Sequence, residues 1–447
     1  MVMNATHKNF GKFTYCINRP SKKWYFIIVV LLIIIAFGVV SFILQHVKGH
    51  VITGMRDHVV WGLYEVNFIF LLGISYACAL ISCILHLTRT QWGKTFMRIT
   101  ELLAVIALVI APVYIVLCIG RIDRMHHLLL YGRIQSPIIW DAIAIGTFIV
   151  FCLSYLYLSH LRDFARLRDY TKELDTPNWQ KIIYRKLAMG YSFKIEQEIK
   201  LNRALDIMAA IIIPTAIVAY SILAWLFGMN LRPGWNSSIF APQFVVTAVY
   251  SGVAALIVVM WIYRKLFHLK EYFTDKHFYY LGYGLLLLCL VFGYFTFSDF
   301  ITNWYNSQKT VALLLAKLLD SSQYGIHYIS TIIITMFATP VVIGIPKFRK
   351  VNNIFILSLF LLIGLWMARY LLIVPTLETP YIPIADVREE YYKYSPTWIE
   401  WVLTLSGAAM AVFLLMVLSK LAPIVPLSAL EDKRKFKLFG EFSFKDS

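Results

Sequence analysis

Charge is scarce in this 447-residue sequence: only 15% of residues are Asp, Glu, Lys or Arg, against 59% apolar and 16% aromatic. A soluble domain carries roughly 25% charged residues and about half apolar ones, so a water-soluble globule has too little polar surface here. Cysteine is also sparse. The six cysteines (Cys16, Cys78, Cys83, Cys118, Cys152, Cys289) form no C-x-x-C pair and no Cys/His cluster at metal spacing, which argues against disulfides, iron-sulfur clusters and a metal site on this chain. Histidine pairs at mid-span depth, which haem ligation between facing helices needs, are missing too. All eleven histidines fall in loops or at the ends of apolar runs.

What the sequence does have is long apolar runs. A helix needs about 20 predominantly apolar residues to cross the hydrocarbon layer. Ten segments meet that length, at about 24–45, 61–87, 99–120, 138–160, 205–228, 244–265, 278–298, 325–346, 353–375 and 399–422. The runs are continuous rather than alternating, so the expected fold class is all-α integral membrane, without strands. The first run lacks a small-residue cleavage site and reads as a span rather than a signal peptide.

The net charge of +17 has a topological explanation. The N-terminus, the even-numbered loops and the C-terminus together hold thirty Lys and Arg, against ten in the odd-numbered loops, which puts both termini in the cytoplasm. Nucleic acid is not needed to explain the charge. The longest loop, 161–204, is expected to form an interfacial amphipathic helix. The outer segments 121–137, 230–244 and 376–398, rich in Pro, Trp and Tyr, suit either partner docking or an aromatic belt. Residues 75–82 (SYACALIS) echo 251–258 (SGVAALIV), which suggests two parallel four-helix units, spans 2 to 5 and 6 to 9, with chance similarity as the competing reading.

Ionisable residues inside spans are costly and therefore candidates for function. Orientation sorts them. Towards the outer face come His58, Glu65, Asp141, Asp299, Arg369 and Glu400; towards the cytoplasm come Arg98, Glu101, Asp206 and Lys420. Helix-start complementation of the macrodipole competes at Glu101, Asp206 and Glu400, and headgroup snorkelling at Lys420. Arg369 requires a buried anion, for which Glu65, Asp299 and Asp141 are candidates. Glu65 and Asp141 each lie one turn inside an aromatic-rich outer end. That setting fits a quinone or quinol, whose tail wants lipid and whose ring oxygens want a donor and a proton acceptor.

Residues 61–87 (WGLYEVNFIFLLGISYACALISCILHL), 136–145 (SPIIWDAIAI), 233–244 (PGWNSSIFAPQF), 250–254 (YSGVA) and the run opening PTWIEW at Pro396 resemble the NrfD/PsrC family of quinone-interacting membrane subunits. The ten-span form is most similar to the large membrane subunits of bacterial alternative complex III. The resemblance implies two four-helix bundles and a quinone pocket at the outer end of the first. It also implies menaquinone or another quinone as the redox partner, with no haem or cluster on this chain. The implied partners are a periplasmic iron-sulfur/molybdopterin-like subunit, c-type cytochrome subunits and a paralogous membrane subunit, in a bacterial inner membrane. Asp141 matches the aspartate that lines the quinol pocket.

The sequence departs from the family where Cys118 replaces a histidine, Leu226 follows Trp225 in place of an aspartate, and Ala368 precedes Arg369 in place of a glutamate. The expected quinone-binding set is Glu65, Asp141, Cys118, Tyr220, Trp225 and His58, with Asp141 as proton acceptor or ring anchor. The expected proton path is Glu101, Asp206, Asp299 and Arg369. The expected division is 1–23 as N-terminus, 24–228 with the first bundle, 229–375 with the second, and 376–447 as outer loop, last span and tail. Two roles stay open: a quinone-binding subunit of an oxidoreductase, or a non-catalytic scaffold or proton-conducting subunit of the same kind of complex.

Overall fold

Backbone N–H and C=O groups in hydrocarbon have no water to bond, so apolar runs of this length close their hydrogen bonds internally as helices. The computed structural model describes residues 21–90, 92–173, 177–230, 232–306, 308–381 and 393–426. Among them are ten helices long and apolar enough to cross a membrane. They are α1 (Lys22–Lys48), α2 (Leu63–Leu87), α3 (Met97–Ile119), α4 (Pro137–Glu173), α5 (Ile195–Gly228), α6 (Phe240–Leu266), α7 (Asp275–Asn306), α8 (Gly325–Gly344), α9 (Val351–Leu377) and α10 (Trp398–Leu421). The chain is an all-α, multi-pass integral membrane protein. Cys16, most of the 1–23 segment, residues 382–392 of the last outer loop and the tail from 427 lie outside the described residues.

Helices α2, α3, α4 and α5 pack in a ring, and α6, α7, α8 and α9 in a second. The rings meet chiefly where α2 crosses α6, while α1 and α10 pair with each other against α3. At the crossing, Gly73 and Ala77 of α2 face Ala248 and Gly252 of α6. A Cβ on Gly73 would lie 3.3 Å from that of Ala248, and one on Gly252 would collide with the Ala77 methyl. Two small residues four apart on each helix let the backbones approach, which gives van der Waals packing where lipid offers no hydrophobic drive.

The connection 161–204 differs from expectation. Helix α4 runs on to Glu173 and α5 already begins at Ile195. Only the short helix Asn178–Leu187 between them is separately amphipathic, and it buries Gln180 and Tyr184. Ion pairing across the two extensions, Arg162 to Glu198 at 2.7 Å, and the Arg168 bond to the Tyr191 carbonyl at 2.8 Å hold the helices together beyond the apolar layer.

Helix α8 carries two π-helical segments, Ile333–Phe337 and Pro340–Gly344. Pro340 has no N–H to give to the preceding turn. The carbonyls freed there are taken by other helices: Tyr250 Oη donates to Thr335 O at 3.0 Å, and Cys289 Sγ lies 3.3 Å from both Thr335 O and Met336 O. The Cys289 thiol therefore has a backbone partner.

Candidate functional site

Both termini of the described chain lie at one face, so the opposite face is called distal. Its frame is set by Glu400, which is wholly buried. The carboxylate accepts from Thr397 N at 2.9 Å in a capping box, from Gly54 N at 2.8 Å and from Tyr394 Oη at 2.5 Å. Tyr394 Oη in turn accepts from Leu63 N at 2.9 Å, which fixes the start of α2. Glu400 thus has the helix-start role open to it, and it also ties α10 to the segment that carries His58 into α2.

Within this frame, the first ring brings Glu65, Asp141 and Tyr76 together. Pro137 opens α4, where its missing N–H costs nothing, and Asp141 follows one turn later. Glu65 is 5% and Asp141 8% exposed. Tyr76, within electrostatic reach of Asp141, is clamped between Phe148 (ring centroids 4.3 Å) and Tyr220 (5.4 Å). Asp141 Oδ1 and Tyr76 Oη are both buried without a hydrogen-bond partner. Leaving such groups unmet costs about 1–3 kcal/mol each, more for a charge.

The other distal candidates are arranged around this group. Cys118 lies within electrostatic reach of Glu65 and gives its thiol to Val60 O at 3.8 Å. His58 is buried in the segment before α2. Trp61 stacks on Trp235 at 6.2 Å. Trp225, by contrast, is 48% exposed on the outer surface of α5 and is not gathered with them.

Arg369 departs from expectation. Its guanidinium donates to Tyr220 Oη at 3.2 Å and to Phe244 O at 3.1 Å, and lies over the Phe244 ring at 4.0 Å. No ion pair of Arg369 occurs among the described residues; a phenol, a carbonyl and a ring face replace the expected carboxylate. Arg369 and Asp299 instead line one cavity of about 160 Å³ in the second ring, beneath the short helix Lys309–Leu319.

At the termini face, Glu101 and Asp206 line a cavity of about 550 Å³. Arg98 donates to Glu101 at 3.0 Å and to Asp163 at 2.9 Å, and also to the Ser159 carbonyl. Ser159 Oγ adds a 2.7 Å bond to Glu101. Asp206 pairs with His86 at 3.0 Å and, more loosely, with Arg89 at 3.9 Å. It sits about three turns inside α5 rather than opening it, because that helix starts at Ile195. The four residues expected on one proton path therefore form two pairs, Glu101 with Asp206 at the termini face and Asp299 with Arg369 at the distal face.

The profile of the family described as "Polysulphide reductase, NrfD" matches residues 51–380. The chain belongs to the NrfD family. The C subunit of selenate reductase from Mesobacillus selenatarsenatis is 22% identical over 90% of this chain and 94% of its own length. The Hdr-like menaquinol oxidoreductase integral membrane subunit of Archaeoglobus fulgidus is also 22% identical, over 93% and 97%. The putative C membrane subunit of a dimethyl sulfoxide reductase from Halobacterium salinarum is 26% identical over 52% of this chain and 49% of that protein.

In this NrfD chain, the polar groups that sequence reasoning passed over are tyrosine, asparagine, glutamine and threonine. Tyr76 is one. Asn67 links α2 to α10 through Thr404 Oγ1 (2.8 Å) and to α9 through Trp366 Nε1 (2.8 Å). Gln45 joins α1 to Tyr64 Oη (2.6 Å) and Leu117 O (2.8 Å). An amide inside an apolar run is the signal that could have found Asn67. Tyr76 offers none, since tyrosine is ordinary in such a run.

Proposed function

We propose that this chain is the membrane subunit of a multi-subunit oxidoreductase and binds a quinone or quinol beneath the distal face of the first ring. The family and the names of its relatives support the broad part: these are membrane subunits of redox complexes, which work with catalytic partners. The quinone reading rests on one observation above the others, that Asp141 Oδ1 and the Tyr76 hydroxyl, both in the first ring, are buried and unpartnered.

A bound quinol supplies two electrons and two protons when oxidised. Asp141 Oδ1 accepts a hydrogen bond from one ring hydroxyl and takes its proton, the second proton goes to the Glu65 carboxylate, and the Tyr76 hydroxyl hydrogen-bonds a ring oxygen to orient the head. Glu65 offers a second carboxyl beside Asp141 to hold a proton. Tyr220, held by Arg369, keeps the Tyr76 ring in place. Burial excludes bulk water and strengthens each of these contacts. In this reading the distal face is periplasmic, both termini are cytoplasmic, the membrane is the bacterial inner membrane, and menaquinone is the favoured carrier. Electrons leave to an iron-sulfur or molybdopterin-like subunit docked on the distal face. A paralogous membrane subunit and c-type cytochromes complete an assembly like alternative complex III.

A second reading, proton conduction, has its own support in the termini-face cavity and its acid-base groups. The two separate by mutation in the purified native assembly. Asp141→Asn, with assembly retained, is expected to lower quinol-dependent reduction of the partner by about two to four orders of magnitude, the usual weight of a general base. Asp206→Asn is expected to leave it within about threefold, since Asp206 touches no quinol in this reading. Unchanged turnover in Asp141→Asn together with lost proton release would reverse the assignment.

A further inference from the structure

We propose that the second ring holds a site of its own for a ring-headed amphiphile, in the cavity of about 160 Å³ between α6, α7, α8 and α9. This goes beyond the function proposed for the first ring and draws on different residues. The volume is that of one six-membered ring, since a cavity of roughly 150 Å³ takes benzene. Its apolar wall is aromatic: Trp235, Phe240, Phe244, Phe292 and Phe300 line it, an environment suited to offset or edge contacts with a planar ring.

The polar side of the cavity selects the head chemistry. Thr331, 6% exposed, presents an Oγ1 without a partner, and Asp299 presents an Oδ1 likewise buried and unmet. Both residues line the cavity, and Ser237 and Asn303 approach the Asp299 carboxyl. Gln243 and Thr296, also in the wall, bond each other at 3.2 Å. A hydroxyl-bearing ring satisfies both orphan atoms, donating to Asp299 and exchanging a hydrogen bond with Thr331. A phosphate head does not fit: Asp299 repels it, and the Arg369 guanidinium is engaged by Tyr220 and Phe244. The wall also contains the π-helical turn of α8 at Thr335 and Met336, a feature that recurs at functional sites. The occupant is therefore a phenolic or quinol ring on an apolar tail.

The test is photolabelling of the full native assembly in nanodiscs with an azido-benzoquinone bearing an apolar tail, reduced before illumination, and mapping of adducts by mass spectrometry. Adducts are expected on α6 near Phe244 and on α8 near Thr331, and excess unlabelled benzoquinol is expected to remove them. Asp299→Asn and Thr331→Leu are each expected to cut them by roughly tenfold, the weight of one buried hydrogen bond, with assembly checked by gel filtration. If Thr331→Leu fails to assemble, Asp299→Asn alone carries the comparison. Second-ring adducts that are absent, or that persist unchanged in the variants or under competition, overturn the inference. Adducts on α2 and α4 report separately on the first ring, so either site can fail without the other.

Discussion

Tyr220 sits where the two rings touch and serves both. Its hydroxyl accepts from Arg369 of α9 while its ring packs on Tyr76 and Phe244. Tyr220→Phe keeps the ring and deletes the acceptor, leaving a buried guanidinium one bond short. The expected loss is about 1–3 kcal/mol, read as a lower midpoint in thermal unfolding of the detergent-solubilised protein, with the first-ring packing otherwise unchanged. Glu65, Asp141, Asp299 and Arg369 were legible in the sequence because charge in an apolar run is expensive and stands out. Their partners were not. Tyr220 was expected at the site, but not as the partner of Arg369; Tyr76 and Thr331, with unmet hydroxyls, were not expected at all, because such bonds exist only once helices distant in sequence are packed.

Among the elements, the crossing of α2 and α6 depends on side chains that are nearly absent. Gly252→Leu would drive a branched side chain into Ala77, so the folded yield and the unfolding midpoint are expected to fall sharply, by the few kcal/mol typical of overpacking. Gly146→Leu on α4, where a Cβ meets nothing within 4 Å, is the matched control and is expected to be neutral. The distal cap supplies a pH test. Burial holds the Glu378 carboxyl above the usual range, against the pull of Tyr394 N, Tyr324, Lys317 and Lys393. The folded state then binds this proton more tightly than the unfolded chain. Its contribution is present below the unfolded value of about 4.3 and is lost as pH rises through the raised one. Glu378→Gln is expected to flatten that part of the stability profile; a profile as steep as the parent's would contradict the assignment. Span number was readable from length and hydropathy alone. The ends of α4 and α5 were not, because a helix that leaves the bilayer goes on with charged residues, here secured by Arg162 and Glu198.

For the whole molecule, the fold class followed from composition and from the length of the apolar runs. Span orientation already put Glu101 and Asp206 at one face and Asp299 and Arg369 at the other; composition carries no information on which helices face each other, so it could not show that each pair lines a cavity of its own. The two distal groups, one per ring, are joined through the bond from Arg369 to Tyr220. The decisive experiment is a density map of the native assembly with a menaquinol analogue bound. A ring oxygen is expected within hydrogen-bonding distance of Asp141 in the first ring. A head group bound elsewhere, with Asp141 closed over by packed side chains, would contradict the quinol site proposed there.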